Sequence, residues 1–285
     1  MNYLVTGCTG FIGSRLISQL LKGGHHIFCI SNADGCPNRG RVIHLQHDIS
    51  RKLDYDRLPS PLNGIIHVAG VMGKSVENVE MFKINTLGTL HMLEFGKKAR
   101  AGRFVFISSG AVYGYSNTPF SEESPLNPVD FYGQSKYQSE LLVSQYGKEF
   151  ISTVILRLFF PYGPGQTKGI VPEIVNRIRN HKRITIYNDA NPRINPVYIT
   201  DVVQAIEKTL SLEGRQTLNL CGNEITNIRD LSLLIGSHLG SEPLFSFMRD
   251  ENIADRVGEN VLSRMTLGIA PLISLKEGIA NILLG

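Results

Sequence analysis

The stretch LVTGCTGFIGSRL, residues 4–16, places three glycines at a spacing of three between an apolar run and an amphipathic run. The apolar run is typical of a buried strand, and the residues after it repeat apolar side chains at helical spacing. Glycine is disfavoured inside helices, so Gly7, Gly10 and Gly13 need a local cause. The order of strand, glycine turn and helix supplies one, because it brings bare backbone N–H groups and the positive end of a helix dipole to one point.

This glycine turn predicts a phosphate site. Glycines let a pyrophosphate approach the backbone and let the helix press against the sheet. A plain turn would explain the same residues, but this turn follows the first strand of a strand–helix–strand unit, which is the context that dinucleotide binding requires. We therefore expect a dinucleotide to bind at residues 7–13.

Short apolar runs alternate with helical patterns through the first 160 residues. This order predicts an α/β fold, a Rossmann doubly wound parallel sheet with a smaller C-terminal substrate lobe. We expect residues 1–160 to form the dinucleotide-binding domain, which would also receive parts of residues 194–221. Residues 161–285, where the alternation loosens, would form mainly the substrate-binding lobe.

Composition argues against several classes of protein. The 285 residues are 42% hydrophobic and 19% charged, with a net charge of +4, which is typical of a globular domain that binds small molecules. The sequence has no basic run with interleaved aromatic residues, which would indicate nucleic-acid binding. It also has no apolar run long enough for a membrane span. The four cysteines form no CxxC pair and no cluster at metal-binding spacing, so we expect no metal and reduced thiols. Reduced thiols and the absence of a leader pattern favour the cytoplasm.

The end of the second strand bears on the choice of cofactor. An acidic residue there would bind the ribose 2′-hydroxyl of NAD, whereas a basic residue would receive the 2′-phosphate of NADP. The chain has Ser31 and Asn32 at this place, with Arg39 and Arg41 further on. Both arginines would equally suit a solvated loop. The pattern favours NADP slightly over NAD.

Catalytic chemistry is suggested by the segment YGQSK, which places Tyr132 and Lys136 four residues apart on one helix face. A nearby ammonium lowers a tyrosine pKa from its usual value of about 10, so Tyr132 is a candidate acid and base. A surface pair of the same spacing is common, however. Upstream, FVFISS ends a buried strand in two serines, and Ser109 would reach the same substrate oxygen as Tyr132.

Together these segments resemble the extended short-chain dehydrogenase/reductase family, of the NAD-dependent epimerase/dehydratase type. The matching segments follow the order of that family and cover about two thirds of the chain. They are TGCTGFIG (6–13), HDI (47–49), HVAG (67–70), NTLGT (85–89), SSGAVYG (108–114), YGQSK (132–136), LRLFFPYGPGQ (156–166) and RINPVYITDVV (193–203).

The resemblance implies a role for each matching residue. In the catalytic centre, Tyr132 would be the general acid and base, Ser109 would polarise the substrate oxygen, and Lys136 would hold the nicotinamide ribose. The implied cofactor-binding residues at the pyrophosphate are Gly7, Gly10, Phe11, Ile12 and Gly13, and those at the adenine are Asp48 and Ile49. Ala69 and Gly70 would line the ribose and nicotinamide, and Phe159 and Phe160 would precede the segment that binds the nicotinamide amide. Asn85 would support the active-site helix. The implied substrate-binding residues are Ser109, Arg193 and Arg249, the two arginines at the diphosphate.

Departures from the family pattern narrow the activity. Gly110 and Ala111 replace the Asp–Glu pair of the dehydratases, so 4,6-dehydration is not expected. Phe160 replaces a substrate-binding Asn found in many nucleotide-sugar enzymes, which weakens that assignment. The resemblance still implies hydride transfer at a secondary alcohol or ketone, by a nucleotide-sugar 4-epimerase or 4-keto reductase. The alternatives are a reductase of a non-nucleotide ketone and a dinucleotide-binding sensor without catalysis.

The family commonly forms homodimers through the helix after NTLGT and the helix that carries YGQSK. Leu90, Met92, Leu93 and Phe95 lie on more than one face of the first of these helices. A homodimer interface would explain this extra apolar surface, and so would burial under a loop.

Overall fold

A computed structural model describes residues 1–36, 40–53, 58, 60–73, 75–188, 192–251 and 253–284. The chain divides into two compact units. Unit 1 comprises Met1–Val112, Leu126–Arg157 and Val203–Leu218, and unit 2 comprises Tyr113–Pro125, Leu158–Val202 and Asn219–Gly285.

Seven strands form one sheet, in the order β3-β2-β1-β4-β5-β6-β9. They are β1 (Asn2–Thr6), β2 (His26–Ser31), β3 (Val42–Gln46), β4 (Gly64–His67), β5 (Arg103–Ser109), β6 (Ser152–Leu158) and β9 (Gly214–Leu220). The adjacent pairs from β3 to β5 are parallel, with Leu4 of β1 opposite both Phe28 and Ile65. This arrangement confirms the predicted Rossmann class.

Helices and short strands complete the chain. The helices are α1 (Phe11–Lys22), α2 (Asn78–Phe82), α3 (Gly88–Lys98), α4 (Phe131–Tyr146), α5 (Ile170–Arg179), α6 (Ile199–Thr209), α7 (Ile228–Leu239), α8 (Val261–Leu267) and α9 (Leu275–Leu284). Between α2 and α3 the chain makes one π-helical turn, Lys83–Leu87. The remaining strands are β7 (Ile184–Tyr187), β8 (Arg193–Ile194), β10 (Thr226–Asn227) and β11 (Phe245–Met248). No helix within the described part of the chain is both long and apolar enough to cross a bilayer.

The core of unit 1 accounts for the apolar residues of α3. Met92, Leu93 and Phe95 are at most 1% exposed and pack with strand residues such as Phe104 and Phe106. Burial within the chain therefore explains these three residues without a partner, whereas Leu90 is half-buried. The homodimer stays a prediction of the family resemblance.

Unit 2 is built around short elements. Strands β7 and β11 pair in parallel, and β8 pairs with β10 antiparallel. Helix α5 buries the apolar face formed by Val171, Ile174, Val175 and Ile178, which repeats at helical spacing. Such short elements explain why strand–helix alternation is hard to follow in this half of the sequence.

Helix α4 differs from the other helices in the polarity of its buried face. Its buried side chains include Ser135, Lys136, Ser139 and Glu140. Buried polar groups are costly unless they are hydrogen-bonded. The contacts that satisfy them define the candidate site in unit 1.

Candidate active site

The glycine loop between β1 and α1 is held by two close backbone approaches. A Cβ on Gly7, whose φ is +71°, would lie 2.8 Å from the backbone N and Cα of Ala69. A Cβ on Gly13 would lie 2.2 Å from the carbonyl oxygen of Gly7. A side chain at Gly7 would therefore force the loop away from Ala69, just beyond β4. A side chain at Gly13 would force α1 away from the loop.

Gly10 has a different role from its neighbours. It is exposed, it caps α1 without a side-chain hydrogen bond, and the first turn of the helix carries no acidic residue. The first N–H groups of a helix require partners, and the helix dipole there favours an anion. Phe11 and Ile12 provide backbone at this point, so the local geometry fits a pyrophosphate.

Helix α4 begins beside the end of β5. The Asp130 side chain caps the helix by accepting a hydrogen bond of 2.7 Å from the N–H of Gly133. A Cβ on Gly133 would lie 2.6 Å from the carbonyl oxygen of Ala111, in the short turn that follows Ser109. Gly133 thus permits a close approach that places Tyr132, which is half-buried, next to the carboxyl end of β5.

Lys136 lies one turn further into α4 and is 4% exposed. Its Nζ donates a hydrogen bond of 2.8 Å to the carbonyl oxygen of Ile107 and lies 4.9 Å from the centre of the Phe106 ring. A Cβ on Gly70, just beyond β4, would come within 3.1 Å of the same Nζ. Burial lowers the pKa of Lys136 to about 8, and the Glu140 carboxylate opposes this shift. The ammonium therefore lies where β4, β5 and α4 meet.

The two serines at the end of β5 have different partners. Ser108 is buried and donates a hydrogen bond of 2.5 Å to Oε1 of Glu140. Ser109 is partly exposed, and its hydroxyl oxygen accepts a hydrogen bond of 3.1 Å from the N–H of Ala111. Ser109 therefore has the accessible hydroxyl of the pair, as its predicted role requires.

A buried ion pair below this site was not foreseen from the sequence. Nη2 of Arg157 lies 2.7 Å from Oε2 of Glu140, and both side chains are less than a tenth exposed. Glu140, one turn after Lys136 on α4, therefore interacts with both Ser108 and Arg157. A single arginine inside the apolar run STVILRL was the available signal, because a charged residue in a buried strand requires a partner.

Asn85 lies in the π-helical turn, and its side chain links three segments. Its Oδ1 accepts from the N–H of Val71, and its Nδ2 donates both to the Val71 carbonyl and to the Ser135 hydroxyl. The Ser135 hydroxyl in turn donates to the carbonyl oxygen of Tyr132. Asn85 therefore supports α4 through hydrogen bonds, consistent with the role that the resemblance implies.

His67 connects the end of β1 with the start of α3 through hydrogen bonds. The Thr89 hydroxyl donates to the Asn85 carbonyl at 2.6 Å, so it accepts from Nε2–H of His67 at 3.0 Å. The other ring nitrogen, Nδ1, then accepts from the Thr6 hydroxyl at 2.7 Å. Burial, together with the Lys136 charge, lowers the pKa of His67 from 6.5 to about 3. The neutral imidazole is therefore part of the folded structure.

We expect the free energy of unfolding to fall with acidity because of His67. The unfolded chain takes up a proton below pH 6.5, whereas the folded chain resists it down to about pH 3. Within this window stability should drop by about 1.4 kcal/mol per pH unit from this group alone. Urea unfolding at several pH values tests the slope against a His67→Gln variant, whose side chain does not titrate. Equal slopes in both proteins would contradict the expectation.

The residues at the end of β2 are already engaged. The Ser31 hydroxyl donates to the carbonyl oxygen of Ala33 at 2.8 Å and lies 2.9 Å from Nε2 of His44. Asn32 is exposed, and the Arg41 guanidinium donates to the Leu21 carbonyl at the far end of α1. Arg39 lies outside the described residues. This placement gives little support to a 2′-phosphate site on Ser31 or Arg41.

Asp48 and Ile49 follow β3, where the adenine is expected. Oδ1 of Asp48 accepts from the N–H of Ser50. Burial raises the pKa of Asp48, but the hydrogen bonds from Ser50 and the nearby Arg51 and His47 together lower it below its usual value. Ile49 is buried, and Gly88 of α3 allows its side chain to pack closely. Asp48 thus offers a charged acceptor, and Ile49 contributes packing.

The predicted residues of unit 2 fall into different environments. The Phe159 ring is 1% exposed and packs against Tyr113, whereas Phe160 is half-buried with a φ of +46°. Arg193 is half exposed, and its Nε lies 2.6 Å from Oδ2 of Asp255. Arg249 is exposed.

Arg256 is a further candidate in unit 2 that the sequence analysis missed. Its backbone N–H donates to the Arg193 carbonyl, which places the two arginines on adjacent segments. Its guanidinium lies 4.7 Å from the centre of the Tyr115 ring and donates through Nε to the Gly114 carbonyl, while its buried Nη2 has no hydrogen-bond partner among the described residues. A buried donor without a partner is rare and marks a place for an acceptor.

The fold also brings together three cysteines that are distant in sequence. The Sγ atoms of Cys8, Cys29 and Cys36 lie within 4.8 Å of one another, and all three residues are buried. Hydrogen bonding from Cys29 lowers the pKa of Cys8 to about 6 against the effect of burial. Sequence spacing gave no sign of this cluster, because its members come from the glycine loop, β2 and the segment after β2.

Comparison with known proteins gives a family and close structural neighbours. Residues 3–221 match the model of the NAD dependent epimerase/dehydratase family. A Methanocaldococcus jannaschii protein provisionally named UDP-glucose 4-epimerase is 30% identical over 98% of this chain and 96% of its own. The structure of UDP-glucuronic acid 4-epimerase from Bacillus cereus, in complex with UDP-glucuronic acid and NAD, is 25% identical with a TM-score of 0.90, covering 99% of this chain and 98% of that one. The UDP-glucose 4-epimerase of Thermus thermophilus, in complex with NAD, is 26% identical with a TM-score of 0.85 over the same shares.

Proposed function

The chain belongs to the NAD dependent epimerase/dehydratase family, and from this premise we propose that it is a nucleotide-sugar 4-epimerase that retains NAD. Family membership confirms the resemblance drawn from the sequence and makes the chain an enzyme of the extended short-chain dehydrogenase/reductase type. The observation that carries the proposal is the position of Lys136, whose Nζ lies at the Ile107 carbonyl and close to Gly70, one helical turn after Tyr132.

The residues of unit 1 fit a dinucleotide. The glycine loop leaves no room for side chains at Gly7 and Gly13 and exposes the uncapped start of α1, which suits a pyrophosphate. We assign the adenine to Asp48 and the nicotinamide ribose to Lys136. When bound, a nicotinamide dinucleotide supplies hydride transfer.

The three proposed catalytic residues have different roles at the substrate oxygen. Tyr132 takes the proton of the substrate hydroxyl and returns it to the ketone oxygen. Lys136 keeps a positive charge near that proton at neutral pH, because its pKa is about 8, and this charge favours the tyrosinate form. Ser109 donates a hydrogen bond to the same oxygen.

We favour NAD over NADP. The structural basis is the engagement of Ser31 with Ala33 and His44, and the contact of Arg41 with the end of α1. A 2′-phosphate would require the Ser31 hydroxyl to give up its carbonyl acceptor. The structures of the epimerases from Bacillus cereus and Thermus thermophilus, which contain NAD, agree with this choice.

In unit 2 we assign the substrate diphosphate to Arg193 and Arg256. Arg256 offers a buried guanidinium N–H that lacks an acceptor in the described part of the chain, and Arg193 is held in place by Asp255. Guanidinium groups bind phosphate oxygens through paired hydrogen bonds. Arg249, which is exposed, has weaker structural support for this role.

The proposal predicts turnover without added cofactor. Purified protein is incubated with UDP-glucose, UDP-galactose or UDP-glucuronic acid, and the products are separated by chromatography. We expect conversion of at least one sugar into its C4 epimer with no net consumption of NAD. A Lys136→Met variant should lose this activity, whereas Lys148→Met, at an exposed lysine after α4, should retain it.

Other outcomes would replace the proposal. Reduction of a 4-keto sugar nucleotide at the expense of NADPH, without epimerisation, would indicate the reductase. Reduction of ketones that carry no nucleotide would indicate the second enzyme alternative. Tight cofactor binding with no turnover of any substrate would indicate a sensor.

A further inference from the structure

Three buried thiols form a cluster beside the glycine loop. Cys8 lies in the loop itself, Cys29 lies on β2, and Cys36 lies in the segment after β2. Their Sγ atoms are within 4.8 Å of one another, and their exposed fractions are 0%, 0% and 3%. From this geometry we infer that Cys8, Cys29 and Cys36 form a site for one thiophilic d10 metal ion.

The spacing of the sulfur atoms is close to that of a metal–thiolate centre. With Zn–S bonds of about 2.3 Å, sulfur atoms around a tetrahedral zinc lie roughly 3.8 Å apart. Cys29 is fixed in the sheet between its neighbours Val5 and His44, while Cys8 and Cys36 lie in loops. An inward shift of about 1 Å by Cys8 and Cys36 would therefore bring the three sulfur atoms to the spacing found around a tetrahedral metal ion.

The surroundings favour a thiolate at Cys8, whereas the hydrogen bond with Cys8 and burial raise the pKa of the Cys29 thiol. Helix α1 begins at Phe11, three residues after Cys8, and a helix start stabilises negative charge on a nearby cysteine. The Ser31 side chain, which lies beside Cys8, is held by hydrogen bonds to the Ala33 carbonyl and to His44. Fixed polar groups beside metal ligands help to orient them.

The ligand set limits the kind of ion. Within the described part of the chain, no fourth His, Cys, Asp or Glu shares the spacing of the three sulfurs. Three thiolates suit Cu⁺ as a three-coordinate ion, or Zn²⁺ with one ligand from solution. Either ion would bind by displacing the thiol protons, and it would link the glycine loop to β2 and to the segment that follows it.

Cadmium provides a spectroscopic probe for the site. The full chain, purified under reducing conditions and freed of metal with a chelator, is titrated with Cd²⁺ while the ultraviolet thiolate-to-cadmium charge-transfer band is recorded. We expect saturation at one ion per chain. Cys8→Ser, Cys29→Ser and Cys36→Ser should each remove roughly one third of the band and weaken binding by at least about tenfold.

Cys221 offers a matched control. It is also fully buried, but it lies in unit 2, where its Sγ donates to the Gly258 carbonyl. The Cys221→Ser variant should bind Cd²⁺ as the unchanged protein does. Displacement of the bound Cd²⁺ by Zn²⁺ or by Cu⁺ would support the site and identify the preferred ion.

Native mass spectrometry of the unchanged protein makes the test independent of how the variants fold. One retained Cd²⁺ per chain, together with an increase in melting temperature on addition of Zn²⁺ or Cu⁺, would support the site, because an ion that binds only the folded chain stabilises it. Absence of saturable binding would overturn the inference. It would also be overturned if Cys221→Ser reduced the band as much as the other variants.

Discussion

Replacing Tyr132 by Phe should lower turnover of the nucleotide sugar by about 10²–10⁴-fold, the range that general acid–base catalysis contributes. The change removes one hydroxyl and leaves the ring in its half-buried place at the start of α4. Cofactor binding should persist, with a change in Kd below about tenfold, because at most one neutral hydrogen bond is lost. Steady-state kinetics and fluorescence titration with NADH measure the two quantities.

Tyr137 provides the control on the same helix. It is also half-buried, but it follows Lys136 directly and so faces a different direction from Tyr132. Tyr137→Phe should keep turnover within about threefold of the unchanged enzyme. Normal turnover by Tyr132→Phe would remove this residue from the mechanism, and loss of NADH binding would assign it to the cofactor site instead.

The second large effect concerns stability. Replacing Glu140 by Gln should lower the free energy of unfolding by about 3–5 kcal/mol, because it removes the carboxylate that forms the buried ion pair with Arg157. The change also weakens the acceptor of the Ser108 hydroxyl and removes the carboxylate that raises the pKa of Lys136. Urea unfolding measures the loss, and a double-mutant cycle with Arg157→Gln should show strong coupling between the two positions.

An exposed pair of the same kind gives the comparison. Arg177 and Glu173 lie 3.0 Å apart on the surface of α5, one turn from each other. Glu173→Gln should change stability by no more than about 0.5 kcal/mol, because solvent screens exposed pairs. If the Glu140 and Glu173 variants lost similar amounts of unfolding free energy, burial would not explain the effect expected at Glu140.

The sequence was sufficient to predict the first half of the fold because its signals are local. Strands β1 to β6 are short apolar runs, and the glycine spacing of residues 7–13 is typical of the turn between the first strand and the first helix of such a fold. The segment YGQSK predicts the helix to which we assign the proposed catalytic residues, although the buried face of this helix is polar. Periodicity of apolar residues would not have oriented this helix, since Ser135, Lys136 and Ser139 are what it buries.

Features that depend on contacts between distant segments were not predictable. The Glu140–Arg157 pair joins a helix to a strand 17 residues away, and the three clustered cysteines carry no spacing motif. Nothing in the sequence distinguishes Gly133 from other helix residues, because its close approach to the Ala111 carbonyl depends on the turn that follows β5. The sequence analysis names Arg249 and not Arg256, because sequence alone does not distinguish a half-buried guanidinium from an exposed one.

The most direct measurement is a crystal structure of the enzyme with NAD. The account predicts the pyrophosphate at the backbone of residues 10–13, with Lys136 Nζ and the Tyr132 hydroxyl within about 2.6–3.2 Å of the nicotinamide ribose. A nicotinamide ribose bound out of reach of both side chains would contradict the assignment of catalysis to Tyr132 and Lys136.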